Sequence, residues 1–227
     1  MDLKYLGRKS ETPDVFTFRF ESPELKDWQP GQYLHYTLPH ANPDDRGIER
    51  YFTISSPPSD GVITITTRIA EKSSTFKLAL VALKPGGIIQ ADGLEGNFIL
   101  ADPRTECVFV AGGIGITPFR AILRDLDTRN SMFNITLLYA NRDDKFPFRG
   151  EMESIASRRR GLSIRWIVAP KMLDEAAIRE TVSDLSRPVV YLSGPKPMVD
   201  SFSGRLEGMG VPKARIMLDD FPGYTWP

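Results

Sequence analysis

One cysteine, Cys107, and two histidines, His35 and His40, are all that this 227-residue chain offers of thiol and imidazole metal ligands. A single cysteine excludes an intramolecular disulfide and any all-cysteine zinc or iron–sulfur site, and two histidines leave a metal centre little to build on. Redox chemistry here therefore calls for a bound organic cofactor, and an iron–sulfur centre would have to sit on another chain. An excess of charge is missing as well. Twenty-nine basic and 29 acidic residues cancel, so no overall field draws the chain to nucleic acid or to an anionic membrane. No apolar run approaches the ~18 residues of a spanning helix. The opening MDLKYLGRKSETPD has no apolar stretch behind its basic residues and does not read as a secretory leader. The expectation is a cytoplasmic protein with no membrane insertion, no internal repeat and no low-complexity segment.

What is present changes character near Pro103. Before it, apolar residues alternate with polar ones: Phe16, Phe18 and Phe20 share one face of residues 15–20, Leu34, Tyr36 and Leu38 one face of 32–38, and Ile63, Ile65, Thr67 and Ile69 one face of 62–69. Such period-two segments between Pro, Gly, Asn and Asp clusters imply an antiparallel sheet closed as a barrel or sandwich. One helix interrupts it, capped by Ser73 or Ser74, with a stripe of Phe76, Leu80 and Leu83 that ends at Pro85-Gly86-Gly87. After Pro103 come short uninterrupted apolar runs at 107–111, 135–140, 164–169, 189–192 and 216–218. The first two flank a helical pattern of Phe119, Ile122, Leu123 and Leu126. Runs of that kind belong to a parallel sheet covered on both faces. The fold expected is thus an antiparallel β-barrel domain over residues 1–103 followed by a doubly wound α/β domain with a parallel sheet over residues 104–227.

Three loops would lie at the carboxyl edge of that sheet. The first is Gly112-Gly113-Ile114-Gly115-Ile116-Thr117-Pro118. Glycines let the backbone turn sharply and leave room for a pyrophosphate, Thr117 can cap the following helix, and Pro118 fits its first turn. Free amides and the helix dipole then make an anion site. The second is Tyr139-Ala140-Asn141-Arg142, where an adenosine ribose would lie. The third is Ser193-Gly194-Pro195-Lys196-Pro197-Met198. Alone, each also fits a plain turn or a solvated charge; their convergence points to a dinucleotide crevice. In the first domain, Glu49-Arg50-Tyr51-Phe52-Thr53-Ile54-Ser55-Ser56 puts an arginine, two aromatics and hydroxyls on one strand. An arginine fork suits phosphate oxygens, an aromatic can cover a planar heterocycle, and a hydroxyl can bond its edge. The helix start at Ser73-Ser74-Thr75 offers amides and hydroxyls for a second phosphate contact, although ordinary capping explains the same residues.

In this order the pieces resemble the ferredoxin–NADP⁺ reductase superfamily, which pairs an FAD-binding antiparallel barrel with a nicotinamide-binding α/β domain. Residues 50–56 are similar to its R-x-Y-[ST] signature, residues 112–118 to G-G-x-G-x-T-P, and residues 193–198 to C-G-P-x-x-M. The resemblance implies that Arg50, helped by Ser74 and Thr75, binds the FAD pyrophosphate, that Phe52 packs on the flavin and that Thr53 bonds near its reactive N5. Tyr51, Ser55 and Arg68 complete the implied flavin set. Gly112, Gly113, Gly115, Thr117 and Pro118, with Asn141 and Arg142, would hold the nicotinamide dinucleotide. Gly194, Pro195 and Met198 would help place its nicotinamide, beside Ser193. The chain departs from the pattern in having Phe52 for tyrosine, Ser193 for cysteine, and Glu71-Lys72 where a glycine usually precedes Ser73.

The activity implied is hydride transfer from NADPH or NADH to FAD, followed by one-electron steps to a ferredoxin, flavodoxin or similar acceptor. The catalytic positions implied are Thr53, Ser193 and Phe221, with Tyr224 and Trp226 competing with Phe221 to cover the flavin. The alternative is an FAD-binding electron-transfer or regulatory subunit with little nicotinamide turnover. Arg142 could meet a 2′-phosphate, but Asp143 and Asp144 follow it. Arg158-Arg159-Arg160 reads as a solvated helix end rather than a docking patch.

Overall fold

Alternation in the first hundred residues becomes strands because each buries one row of side chains. The computed structural model describes residues 1–169, 173–182 and 184–222. It divides into two units, Met1–Ile99 and Leu100–Pro227, where the sequence pattern alone changes at Pro103.

The first unit carries β1 (Asp2–Thr12), β2 (Val15–Glu21), β3 (Tyr33–Thr37), β4 (Glu49–Thr53), β5 (Ile63–Arg68), α1 (Thr75–Ala82) and β6 (Ile88–Glu95). Its six strands form one antiparallel sheet in the order β4-β3-β6-β1-β2-β5. Past β4 the chain meets β5. Ser55 N–H donates to Thr64 O at 3.0 Å and Thr64 N–H to Ser56 Oγ at 3.1 Å. Those bonds draw the two outer strands together and curl the sheet towards a barrel. Phe18, Phe20, Leu34, Tyr36, Ile63 and Ile65 are wholly buried in its core, with Phe76 and Leu80 of α1 packed among them. Burying side chains of this size stabilises by roughly 1.5–3 kcal/mol each. Ser74 caps α1, accepting from Lys77 N–H at 3.4 Å. The other face of β5 is buried too, and it is polar. Thr17, Thr66, Ser55 and Thr64 form a chain of hydroxyl contacts at 2.8–2.9 Å that satisfies each member.

The second unit contains β7 (Glu106–Gly112), α2 (Ile116–Thr128), β8 (Asn134–Asn141), α3 (Arg149–Arg158), β9 (Leu162–Val168), α4 (Glu175–Thr181), β10 (Val189–Pro195), α5 (Lys196–Gly208) and β11 (Ile216–Phe221). The strands form a parallel sheet in the order β11-β10-β7-β8-β9. The chain steps outward from β7 to β9, then returns to β10 on the far side of β7. The winding direction therefore reverses between β7 and β10, which is where this type of sheet opens a ligand crevice. The five apolar runs all become strands, and Phe119, Ile122, Leu123 and Leu126 are buried on α2. Helices α3 and α4 carry no comparable stripe. Each buries only two residues, Met152 and Ile155, and Ala177 and Ile178. No helix among the described residues is long and apolar enough to cross a membrane.

Candidate cofactor-binding sites

At the reversal of the parallel sheet two backbones touch. A Cβ at Gly115 would lie 2.2 Å from Ser193 O and 2.7 Å from Gly194 Cα, and one at Gly194 would lie 3.3 Å from Gly112 Cα. The turn after β7 and the turn after β10 thus interlock through glycine. Gly113 adopts φ +53°, a left-handed conformation that glycine enters without steric cost. Its carbonyl accepts from Tyr139 Oη at 3.0 Å, which ties the turn to β8. Asn141 ends β8 beside it: a Cβ at Gly113 would stand 3.8 Å from Asn141 Oδ1. The loops after β7, β8 and β10 do converge, as the sequence pattern implied.

The crevice is entered through a single 3-10 turn, Gly113–Gly115, after which Ile116 N–H donates to Gly113 O and Ile114 O. Helix α2 begins after Gly115 with no side-chain cap. Thr117 does not cap it, contrary to expectation. It sits inside the first turn, buried, and its hydroxyl donates back to Ile114 O at 3.1 Å. Pro118 lies in that same turn and lacks an N–H, so it costs the helix no bond. The positive end of the helix dipole, with only glycine backbone before it, favours an anion. Asn141 spends its amide on Asp143 O, Asp143 Oδ1 and Lys145 O at 3.1–3.3 Å, holding the 141–145 loop in shape. Arg142 is exposed, with Nε 3.7 Å from Asp143 Oδ2. Pro195 and Met198 are buried where β10 runs into α5.

Sequence reasoning missed Asp219. Parallel pairing of β10 and β11 sets it opposite Ser193, whose Oγ donates to its Oδ2 at 3.0 Å. Burial pushes its carboxyl up to about 6, the Ser193 bond pulling it down and neighbouring Asp220 pushing it further up. A proton is therefore held in equilibrium beside Ser193 near neutral pH. Phe221 ends β11 opposite Pro195, half-buried. Tyr224 and Trp226 lie outside the described residues. Cys107 is buried, and burial, then the charges of Glu106 and Asp102, push its thiol up to about 12, so it is no nucleophile.

In the first unit, Arg50 and the start of α1 meet through a residue that the motifs did not single out. Asp44 Oδ1 accepts from Arg50 Nη2 at 2.7 Å, and Asp44 Oδ2 accepts from Thr75 N–H at 3.1 Å. Asp44 N–H donates to Thr75 Oγ1 at 2.9 Å, and that hydroxyl meets His40 Nε2 at 2.9 Å. Because His40 Nδ1 faces Leu38 O at 2.7 Å, Nε2 is the acceptor of the Thr75 hydroxyl. Phe52 is half-buried against Tyr36 and Phe76, with ring centroids 5.9 and 5.8 Å away. Thr53 is buried at the end of β4.

Three members of the expected flavin set lie apart from this cluster. Ser55 is wholly buried, its hydroxyl spent on Thr64 and Thr66 where the barrel edges join. Arg68 is paired with Asp14 at 2.5 Å. Tyr51 alternates to the outer face, 66% exposed, stacked on His35 at 4.4 Å and edge-on to Tyr33. The Arg158–Arg160 run is partly engaged: Arg158 and Arg159 hold Asp127 at 2.6 and 2.7 Å. Among the described residues no group of three His, Cys, Asp or Glu side chains is placed to hold a metal ion.

Comparisons with known proteins bear on the fold and on the second unit. Residues 109–203 match the family of oxidoreductase NAD-binding domains. A stachydrine N-demethylase reductase subunit from Rhizobium meliloti is 29% identical over 98% of this chain and 68% of its own length. Among solved structures, the FAD/NAD-binding domain of a nitric oxide dioxygenase from Vibrio cholerae superposes with a TM-score of 0.82 at 22% identity. It covers 97% of this chain and 98% of that one. A ferredoxin–NADP⁺ reductase from Plasmodium falciparum gives a TM-score of 0.80 at 18% identity, covering 97% and 95%. The chain spans about half to two thirds of the length of the curated relatives it matches. Likeness of this order runs through both units and not the nucleotide-binding one alone: residues 109–203 are an oxidoreductase NAD-binding domain, and the two-unit fold is that of the ferredoxin–NADP⁺ reductases.

Proposed function

We propose that this chain is an NAD(P)H-dependent flavoprotein reductase, with FAD held by the first unit and the nicotinamide dinucleotide by the second. The observation that carries the reading is the crevice at the sheet reversal, where interlocked glycine turns keep side chains away from the positive end of α2. Bound FAD supplies the chemistry, accepting a hydride equivalent and giving up electrons one at a time. The protein's own residues supply position and charge. Gly112, Gly113 and Gly115 admit the dinucleotide phosphates, with Asn141 and Arg142 towards its adenosine end. Ser193, Gly194, Pro195 and Met198 shape the nicotinamide end. Arg50, Ser74 and Thr75 face the flavin diphosphate, and Phe52 and Thr53 its ring. Ser55 and Arg68 have structural partners that account for them and are left out of the site.

The fit of FAD to the first unit rests on donors. Arg50 Nε is buried without a hydrogen-bond partner, and a phosphate has acceptor oxygens to spare. Several relatives are named as reductase components of oxygenases, including a glycine betaine monooxygenase and a 3-ketosteroid-9-alpha-monooxygenase. The proposed acceptor is accordingly a one-electron redox protein, a ferredoxin or an oxygenase component, on a partner chain in the cytoplasm.

The test is the visible spectrum of the purified protein, followed by anaerobic addition of NADH and of NADPH. Flavin bands that bleach within seconds are expected, and the faster nucleotide identifies the physiological donor. Flavin bands that persist with both nucleotides would move the assignment to an electron-transfer subunit that takes its electrons elsewhere.

A further inference from the structure

We propose that Asp44 is a resident anion in the diphosphate subsite of the flavin cradle and that FAD must displace it to bind. The inference rests on the reading of Arg50 and the α1 start as that subsite, and it goes further in naming what occupies the subsite before FAD arrives.

The Asp44 carboxylate makes the two contacts that a diphosphate would make. One oxygen takes the Arg50 fork at 2.7 Å and the other takes the first amide of α1, Thr75 N–H, at 3.1 Å. Arg46 N–H adds a third donor to Oδ1 at 3.0 Å. The remaining terminal nitrogen of Arg50 is turned onto the same loop, donating to the carbonyls of Arg46, Gly47 and Glu49 at 2.8, 3.1 and 2.6 Å. Both ends of the fork are thus engaged by residues 44–49. Only Nε is left, buried and unpaired. A carboxylate has two oxygens and both are already in use; a diphosphate brings more, enough to meet Nε as well. Folded proteins seldom leave a buried donor unmet, so the unpaired Nε marks the subsite as built for a larger anion than the one that fills it.

Asp44 holds its charge throughout the physiological range. Burial would raise its carboxyl, but the Arg46 and Thr75 amides and the Arg50 guanidinium together hold it at about 2. The contest at the subsite is therefore between two anions for one set of donors. It is settled by which state of the 44–49 loop is populated, and apparent FAD affinity is the intrinsic affinity multiplied by the fraction of molecules in which Asp44 has swung out. The role is one of setting affinity: the Asp44 carboxylate ties Arg50 to the start of α1 and competes with the FAD diphosphate for the same donors.

The experiment measures FAD binding to flavin-free protein by quenching of FAD fluorescence, in wild type, Asp44→Ala, Asp44→Asn and Arg50→Ala, with thermal unfolding of each without FAD. Asp44→Ala is expected to bind FAD about tenfold more tightly while unfolding at a lower temperature. Asp44→Asn, which keeps the side chain's shape, is expected to move in the same direction and guards against a folding defect. Arg50→Ala is expected to lose FAD affinity. FAD binding that weakens in both Asp44 variants would overturn the proposal and make Asp44 a permanent strut for Arg50. FAD binding that survives Arg50→Ala would instead sink the assignment of the subsite, and the inference with it.

Discussion

Each unit presents a helix start to an anion, and the two are built in opposite ways. In the first, α1 is capped by Ser74 and its leading amide is taken by Asp44, itself gripped by Arg50. In the second, α2 has no side-chain cap, and the nearby Thr117 hydroxyl turns back to its own chain. One cradle relies on a charged fork and carries its own counter-anion. The other has the positive end of a helix dipole and glycines that keep side chains away. A fork gives a strong, directional grip suited to a cofactor that stays. On the proposed function, a helix dipole behind glycine backbone gives a shallower grip, suited to a dinucleotide that must leave after each turnover. The contrast explains why substitutions in the two units should fail differently.

The largest expected effect is at the interlocked glycines. Gly115→Ala would place a carbon 2.2 Å from Ser193 O, and the obstructing atom is backbone with nowhere to go. We expect a loss of about 3 kcal/mol or more in stability, read as a fall in the thermal midpoint, together with loss of NADH binding. A variant that unfolds like wild type would show that the two turns separate freely, and the crevice would lose its rigid floor.

A smaller effect concerns Asp219. Its carboxyl is raised from 3.8 to about 6 in the folded protein, so folding favours the protonated form. Stability lent by that proton is complete below the unfolded value and is lost as pH rises through about 6. Asp219→Asn abolishes this dependence while keeping an acceptor for Ser193. Its stability relative to wild type should therefore rise between pH 4 and pH 7 by about 2 kcal/mol. Denaturant titrations at those two pH values check it, and an equal difference at both would show that the carboxyl is not buried in solution.

Legibility followed the range of the interactions. The strands were readable because their periods are local: alternation in β2, β3 and β5, unbroken apolar runs in β7 and β8. The glycine turn was readable because strand, turn and helix are contiguous. Helix α4 was not, since Ala177 and Ile178 alone face the core. Ser55 was misleading in the motif because its hydroxyl is satisfied by Thr64 and Thr66, residues whose proximity depends on closure of the barrel. Asp219 needed the β10–β11 register, which a separation of 26 positions from Ser193 does not announce. Asp44 sits in a Pro-Asp-Asp-Arg-Gly loop that reads as a solvated turn. Only the fold brings it to both Arg50 and Thr75.

The measurement that bears most directly on a division of labour between two cradles is calorimetric titration of Arg50→Ala with FAD and, separately, with the nicotinamide nucleotide that wild type prefers. The account predicts that FAD binding falls by at least tenfold, as expected for loss of a charged phosphate contact, while nucleotide binding stays within twofold of wild type, within ordinary mutational scatter. Loss of both, or of neither, would contradict it.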